Sequence, residues 1–188
     1  MPGLLYNPQN IVVGQAVAYY AEVGATIPAN TVLYGGDWGT DWISPGATEE
    51  GWRLTGESST TSHNIEEQAN PVLTTKETQG FGIAASLAED TLESVRLSLG
   101  GGTITTDAES GVREFNLLEG IEEFAIGLDM QTYGGKTRRI ILPRASGAGT
   151  VDVAFRRSAS KRLWPVMFNM LNKPSELIIR DLPAAVAP

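Results

Sequence analysis

The residues able to do chemistry are few and scattered. His63 is the only histidine, and it sits in the polar run Ser-Thr-Thr-Ser-His-Asn with no motif around it. A nucleophile, base and acid can be assembled in space from distant segments, but the Gly-x-Ser-x-Gly turn that presents a serine nucleophile does not occur. Gly135-Lys136-Thr137 ends like a phosphate-binding loop, yet Met130 occupies the place of its first glycine. The triple glycine Gly100 to Gly102 follows a predicted helix, whereas phosphate-cradling glycines precede one. Glu49-Glu50 and Glu66-Glu67 are adjacent pairs, and within strands each pair diverges to opposite faces rather than converging on a proton or a metal. Cysteine is absent, which removes disulfides and thiolate metal sites. The pattern implies no catalytic centre, no cofactor and no metal, and directs attention to structural and binding roles.

The carboxylates are informative through their distribution. The net charge of -8 divides unevenly: residues 1–95 carry twelve acids against Arg53 and Lys76, while residues 96–188 carry ten acids against twelve bases. One reading is an acidic solvated surface on part of a globular domain. The other is that the two halves supply opposite faces of an assembly, or that one of them lines an acidic channel. General nucleic-acid binding needs a basic patch and a high isoelectric point, and the isoelectric point here is about 4.7.

Three tryptophans, Trp38, Trp42 and Trp52, lie within a short glycine-containing stretch. The segment 25–50 is rich in Gly, Pro, Asp and Trp and reads as a long loop. Tryptophans in such a loop either fold back onto the domain or anchor a partner, since Trp is enriched at interface hot spots. Trp38 and Trp42 are therefore candidates for a subunit interface. Exposed tryptophans on a β-scaffold also suit a carbohydrate-binding module.

The elements that must position these residues are mainly strands. Candidates are Ile11 to Val23, Trp52 to Thr60, Asn64 to Thr74, Phe81 to Leu87, Thr103 to Thr106, Val112 to Leu118, Glu122 to Gln131, Lys136 to Leu142, Val151 to Arg157, Leu163 to Leu171 and Glu176 to Leu182. Phe124, Ile126, Leu128 and Met130 alternate with Ala125, Gly127 and Asp129, as a strand with two unlike faces should. The two polar strands before residue 75 suggest a hairpin turning near Thr61 to His63. One helix is expected over residues 88–99: Ala88, Leu92, Val95 and Leu99 form an apolar stripe, Asp90 with Glu93 reads as a capping box, and Gly100 to Gly102 terminate it. A chain of 188 residues suits one domain, 1–188, with an N-terminal arm at 1–10 and a C-terminal arm at 183–188. No apolar run reaches the roughly 18 residues of a membrane helix, and no secretory signal opens the sequence. The spacing of short strands, with one helix, argues an all-β sandwich or barrel.

Several patches resemble the major tail tube proteins of long-tailed, siphovirus-type bacteriophages, especially those of actinobacterial phages. They are Asn10-Ile-Val-Val-Gly, Asp37-Trp-Gly, Gly46-Ala-Thr-Glu-Glu-Gly51, Ile65-Glu-Glu-Gln-Ala-Asn-Pro-Val72, Ser86-Leu-Ala-Glu-Asp-Thr-Leu-Glu93, Arg138-Arg-Ile-Ile-Leu-Pro-Arg-Ala145 and Trp164-Pro-Val-Met-Phe168. They span most of the chain in family order. The resemblance implies an all-β fold, a sandwich of two packed, mainly antiparallel sheets flanked by one helix. It also implies a non-enzymatic virion protein that assembles with itself into six-fold rings stacked as a hollow tube. Its implied partners are the tape-measure protein, tail terminator and tip proteins, and genomic DNA passing through the lumen without specific binding. It implies assembly in the host cytoplasm and residence in the virion tail. Tubes of related machines (a contractile tail, a gene-transfer particle, a type VI secretion apparatus) are the nearest alternative, and a carbohydrate- or receptor-binding β-sandwich is the alternative of a different class.

Elementary electrostatics agrees with a tube. Every cation that contacts a phosphate adds affinity, and so friction, to DNA sliding past it. The segment Glu57 to Glu77 has Lys76 as its only base, which suits a channel wall. Glu57, Glu66 and Glu67 are the lumen candidates, although alternation keeps Glu66 and Glu67 from facing it together within a regular strand.

Overall fold

Antiparallel pairing dominates the chain. The computed structural model describes residues 14–66, 68–117, 119–155 and 161–184. Its strands are β1 (Ala16–Glu22), β2 (Arg53–Ile65), β3 (Gln68–Leu87), β4 (Gly102–Thr106), β5 (Arg113–Leu117), β6 (Glu123–Gln131), β7 (Thr137–Gly147), β8 (Trp164–Met170) and β9 (Ile178–Leu182), with one α-helix, α1 (Leu92–Ser98). Seven strands form one sheet in the order β1-β6-β7-β8-β3-β2, with β9 also on β7, and β4 pairs β5 in a small second sheet. The architecture is all-β and consistent with a sandwich, but most strands belong to one continuous sheet rather than to two of similar size.

Strand β7 is where that sheet divides. Its first half, Thr137 to Ile141, pairs with β9, and its last residues, Ala145 to Gly147, pair with β8. The β1-β6-β7 part and the β8-β3-β2 part both contribute to a single apolar core. Tyr20, Phe124, Ile126, Leu128, Ile140 and Leu142 meet Ile83, Leu87, Val166 and Phe168 there, and Leu97 of α1 closes it. The alternation of β6 is realised: Phe124, Ile126 and Leu128 face this core, while Ala125 joins a second cluster on the opposite face with Ile141, Trp38 and Trp42.

The helix is shorter than its periodicity suggests and turned differently. It spans Leu92–Ser98 rather than 88–99, and Thr91, not Asp90, caps it by accepting the Ser94 N–H at 3.1 Å. Asp90 is instead used by other partners, accepting from Trp164 Nε1 at 2.9 Å and pairing with Arg162. The buried stripe is Ser94, Leu97 and Ser98, so Leu99 stands 41% exposed. Gly100 to Gly102 do end the helix, all at positive φ, and a Cβ on Gly147 of β7 would fall 2.5 Å from the Gly100 Cα.

Two other expectations change. Strands β2 and β3 run on to Ile65 and from Gln68, so the hairpin reverses there and not at Thr61 to His63. Pro71 is accommodated because, among the described residues, β3 has only β2 as a strand neighbour at that level. Val151 to Phe155 is irregular rather than strand; Val153 packs on the core, while Phe155 lies out against Arg162 and Trp164. The N-terminal arm 1–10 lies outside the described residues, as do Ile11, Val13, Arg156, Arg157 and residues 185–188 of the C-terminal arm.

Candidate assembly surfaces and channel wall

The β2–β3 hairpin is largely exposed over its outer half. Its register pairs Arg53 with Ala84 and continues outward to Ile65 with Gln68. Strand β8 accompanies β3 only from Leu87 to Gly82. Beyond Phe81 neither strand has a second neighbour among the described residues. Such a two-stranded ribbon is marginal in water by itself. The Ser and Thr residues of both strands give it little to bury; Phe81 crosses over its partner Gly56, while Val72 and Leu73 stay exposed.

Glu57 lies opposite Gly80 on the hairpin and is exposed. It shares the sheet face away from the core with Thr55, Gly82, Met167 and Asn169, which border a shallow cleft of about 270 Å³. Glu66 is exposed at the hairpin tip rather than within a strand. Glu67 lies outside the described residues. Lys76 donates to Gln79 Oε1 at 2.6 Å, and His63 Nε2 lies 2.9 Å from Thr75 Oγ1 on the neighbouring strand. The histidine is thus a surface residue of the ribbon.

The uneven charge acquires a physical form. Bases of the second half are matched locally: Arg138 with Asp181, Arg144 with Glu123, Arg96 with Glu122 and Arg113 with Glu93. Arg138 holds the Asp181 carboxyl below its ordinary value, and Arg144 does the same to Glu123. Glu57 and Glu66 have no such partner among the described residues, so the outer half of the hairpin, where Lys76 is the one base between Glu57 and Glu77, presents unpaired carboxylates.

Trp38 and Trp42 are buried inside the subunit. The loop 25–50 is folded onto the β1-β6-β7 face as an extra layer. Tyr19 stacks on Trp38 at 4.5 Å between ring centroids, and Trp42 meets its edge at 4.9 Å. Trp42 Nε1 donates to Thr26 O at 2.9 Å. Trp38 Nε1 donates to Asp129 Oδ2 at 3.0 Å. The same carboxylate takes a bidentate pair from Arg139, Nε to Oδ1 and NH2 to Oδ2, each 2.8 Å. Arg139 further donates to the carbonyls of Pro28, Ala29 and Val32, and its guanidinium lies over the Trp38 ring at 4.5 Å. The indoles therefore hold the loop in place, and any contact this layer makes with a neighbour would come from its exposed outer side. Sequence reading missed Asp129 and Arg139; the available signal was an acid on the small-residue face of β6, beside Ala125 and Gly127.

The remaining chemical candidates are structural. Thr137 accepts the Tyr34 N–H at 2.9 Å, and Gly135-Lys136-Thr137 leads into a strand rather than a helix, so it cradles no phosphate. Glu49 pairs with Lys161. No group of three or more potential metal ligands converges among the described residues.

The sequence profile of a family described as phage tail tube protein matches residues 5–184. The chain belongs to the phage tail tube protein family. Membership makes it a structural protein of the virion tail, self-associating and working with other tail components. No curated protein matches the chain significantly. No helix among the described residues is long and apolar enough to cross a membrane.

Proposed function

We propose that six copies of this tail tube protein close into a ring, and that stacked rings form the hollow conduit through which phage DNA is delivered. The observation that carries this reading is the β2–β3 hairpin, whose outer half has no further strand neighbour among the described residues. Open edges invite promiscuous pairing, and a neighbouring copy that covers them turns that hazard into specific assembly. The face bearing Thr55, Glu57, Gly80, Gly82 and Asn169 is turned to the channel in this reading, with Glu66 at the hairpin tip as a further lumen residue and Glu67 a lumen candidate from its sequence alone. Six-fold repetition of Glu57 multiplies a field of one sign, which repels phosphate and leaves DNA free to slide.

The tape-measure protein would occupy the lumen during assembly in the host cytoplasm, and terminator and tip proteins would close the ends. The order of the motifs from Asn10 to Phe168 supports a long-tailed, siphovirus-type particle similar to those of actinobacterial phages. The role is structural rather than catalytic. A sugar-binding module is disfavoured because Trp38, Trp42 and Trp164 are buried and Trp52 packs against the core, which leaves no bare indole platform.

Negative-stain microscopy of the purified chain tests the reading. Long hollow rods are expected, and compact particles at every concentration would overturn it.

A further inference from the structure

The two ends of β6 carry unlike surfaces. At its N-terminal end, the passage from β5 leaves Leu117 61% and Ile121 75% exposed. Glu119 is exposed near them, and Glu22, which pairs with Phe124, is exposed at the same level. The cations at this end, Arg96 and Arg144, are already paired with Glu122 and Glu123. At the C-terminal end, the turn into β7 borders an open cleft of about 620 Å³ lined by Gln131, Tyr133, Lys136 and Arg138. Arg138 shares Asp181 there, and Lys136 is exposed with no ion pair among the described residues.

We propose that the Leu117, Glu119 and Ile121 surface of one copy docks into the β6–β7 cleft of a second copy, head to tail. This rests on the tube reading and names one of its subunit contacts. Three observations support the second copy as occupant. Exposed apolar side chains rimmed by charge mark interaction surfaces. The acids of one end that have no ion pair among the described residues, Glu22 and Glu119, complement Lys136 of the other, whose neighbour Arg138 is already matched by Asp181, and this steers encounter and fixes register. The nine residues of β6 separate the two ends by roughly 30 Å at 3.4 Å per residue, so no subunit can fill its own cleft with its own Ile121. A two-fold dimer would set like surfaces together, acid against acid. A heterologous contact instead repeats from copy to copy, as a tube requires.

The chain has no cysteine, so a cysteine pair reads the contact directly. Full-length protein carrying Ile121→Cys together with Gln131→Cys is oxidised mildly and run on a non-reducing gel. A ladder of dimer, trimer and higher species is expected, where each single variant gives at most one dimer band. Adding Glu119→Lys should lower the ladder several-fold, and adding Lys136→Glu to that variant should restore it. A double-cysteine chain with no ladder overturns the contact, including the case in which another segment of the same chain fills the cleft. Hollow rods without the ladder would remove this contact and leave the tube reading standing. A ladder without rods would keep the contact and remove the tube.

Discussion

Asp129 and Arg139 face each other across β6 and β7, and both side chains are 0% exposed. The pair joins the sheet to the loop above it, because Arg139 spends its remaining donors on the Pro28, Ala29 and Val32 carbonyls. Burying charge is tolerable only when every donor and acceptor is met, and removing one partner strands the other. Asp129→Ala should therefore destabilise the subunit by about 3–5 kcal/mol, measured by urea unfolding. Arg139→Lys should fail to restore stability, since one ammonium cannot reproduce the planar fork that serves Asp129 and three carbonyls. A normal unfolding midpoint for Asp129→Ala would show that the loop layer contributes little to the fold.

Gly127 sits beneath the Trp38 ring. A Cβ there would lie 2.2 Å from Trp38 Cζ3, and the indole cannot shift without losing Asp129 and Tyr19. Gly127→Ala should cost on the order of 1–3 kcal/mol by overpacking. The near-ultraviolet circular dichroism of the stacked aromatic group should change with it. An unaltered aromatic signal would mean that the ring has room to move.

Much of the fold was legible because hydrophobic alternation is a local signal. Phe124 to Met130 announced β6 and its core face, and Gly100 to Gly102 marked where the helix stops. What stayed hidden depends on partners distant in sequence. Nothing near Asp90 says that Trp164 and Arg162 will claim its carboxylate and leave the cap to Thr91. Nothing near Trp38 says that Asp129, 91 residues away, will accept its indole N–H. Among the surface candidates, composition identified an acidic polar ribbon, but the position of its turn depends on pairing register and was misplaced.

The helix stripe separates the two accounts quantitatively. Leu97 is 1% exposed in the core and Leu99 is 41% exposed, whereas simple periodicity puts Leu99 on the apolar stripe. Leu97→Ala should destabilise by about 2–5 kcal/mol. Leu99→Ala should change thermal stability little. Equal losses at the two positions would favour the longer helix.

Acid should loosen the β4–β5 hairpin before the main sheet. Arg113 hydrogen-bonds Glu93 of α1 and holds its carboxyl below the usual range, assisted by the Glu93 backbone. Asp107 at the hairpin turn is lowered in the same sense, by the Ser110 backbone N–H, then its hydroxyl, then the Glu109 N–H. A lowered folded-state value stabilises above the ordinary carboxylate value and is lost as pH falls through the folded one. Amide exchange in Thr103 to Leu117, corrected for its intrinsic rate, should accelerate relative to β6 and β7 below about pH 4. Arg113→Gln should remove the Glu93 part of that dependence, and hairpin protection that is flat with pH would refute the mechanism.

The channel wall is tested by Glu57→Lys. Glu57 is exposed opposite Gly80 and has no ion-pair partner among the described residues, so the subunit should fold and melt as the parent does. If its face lines the channel, six copies of the substitution replace a ring of repelling carboxylates with a ring of phosphate-binding ammoniums. Each new contact adds friction that weakens as salt rises, because exposed charges are screened beyond roughly 10 Å at 0.1 M ionic strength. Phage carrying Glu57→Lys should assemble tails of normal length and eject DNA more slowly, with the deficit largest at low salt. Glu66→Lys, at the hairpin tip, is the parallel measurement. Ejection at the parental rate for both variants would move the wall to another face of the subunit and leave the hairpin acids as outer surface.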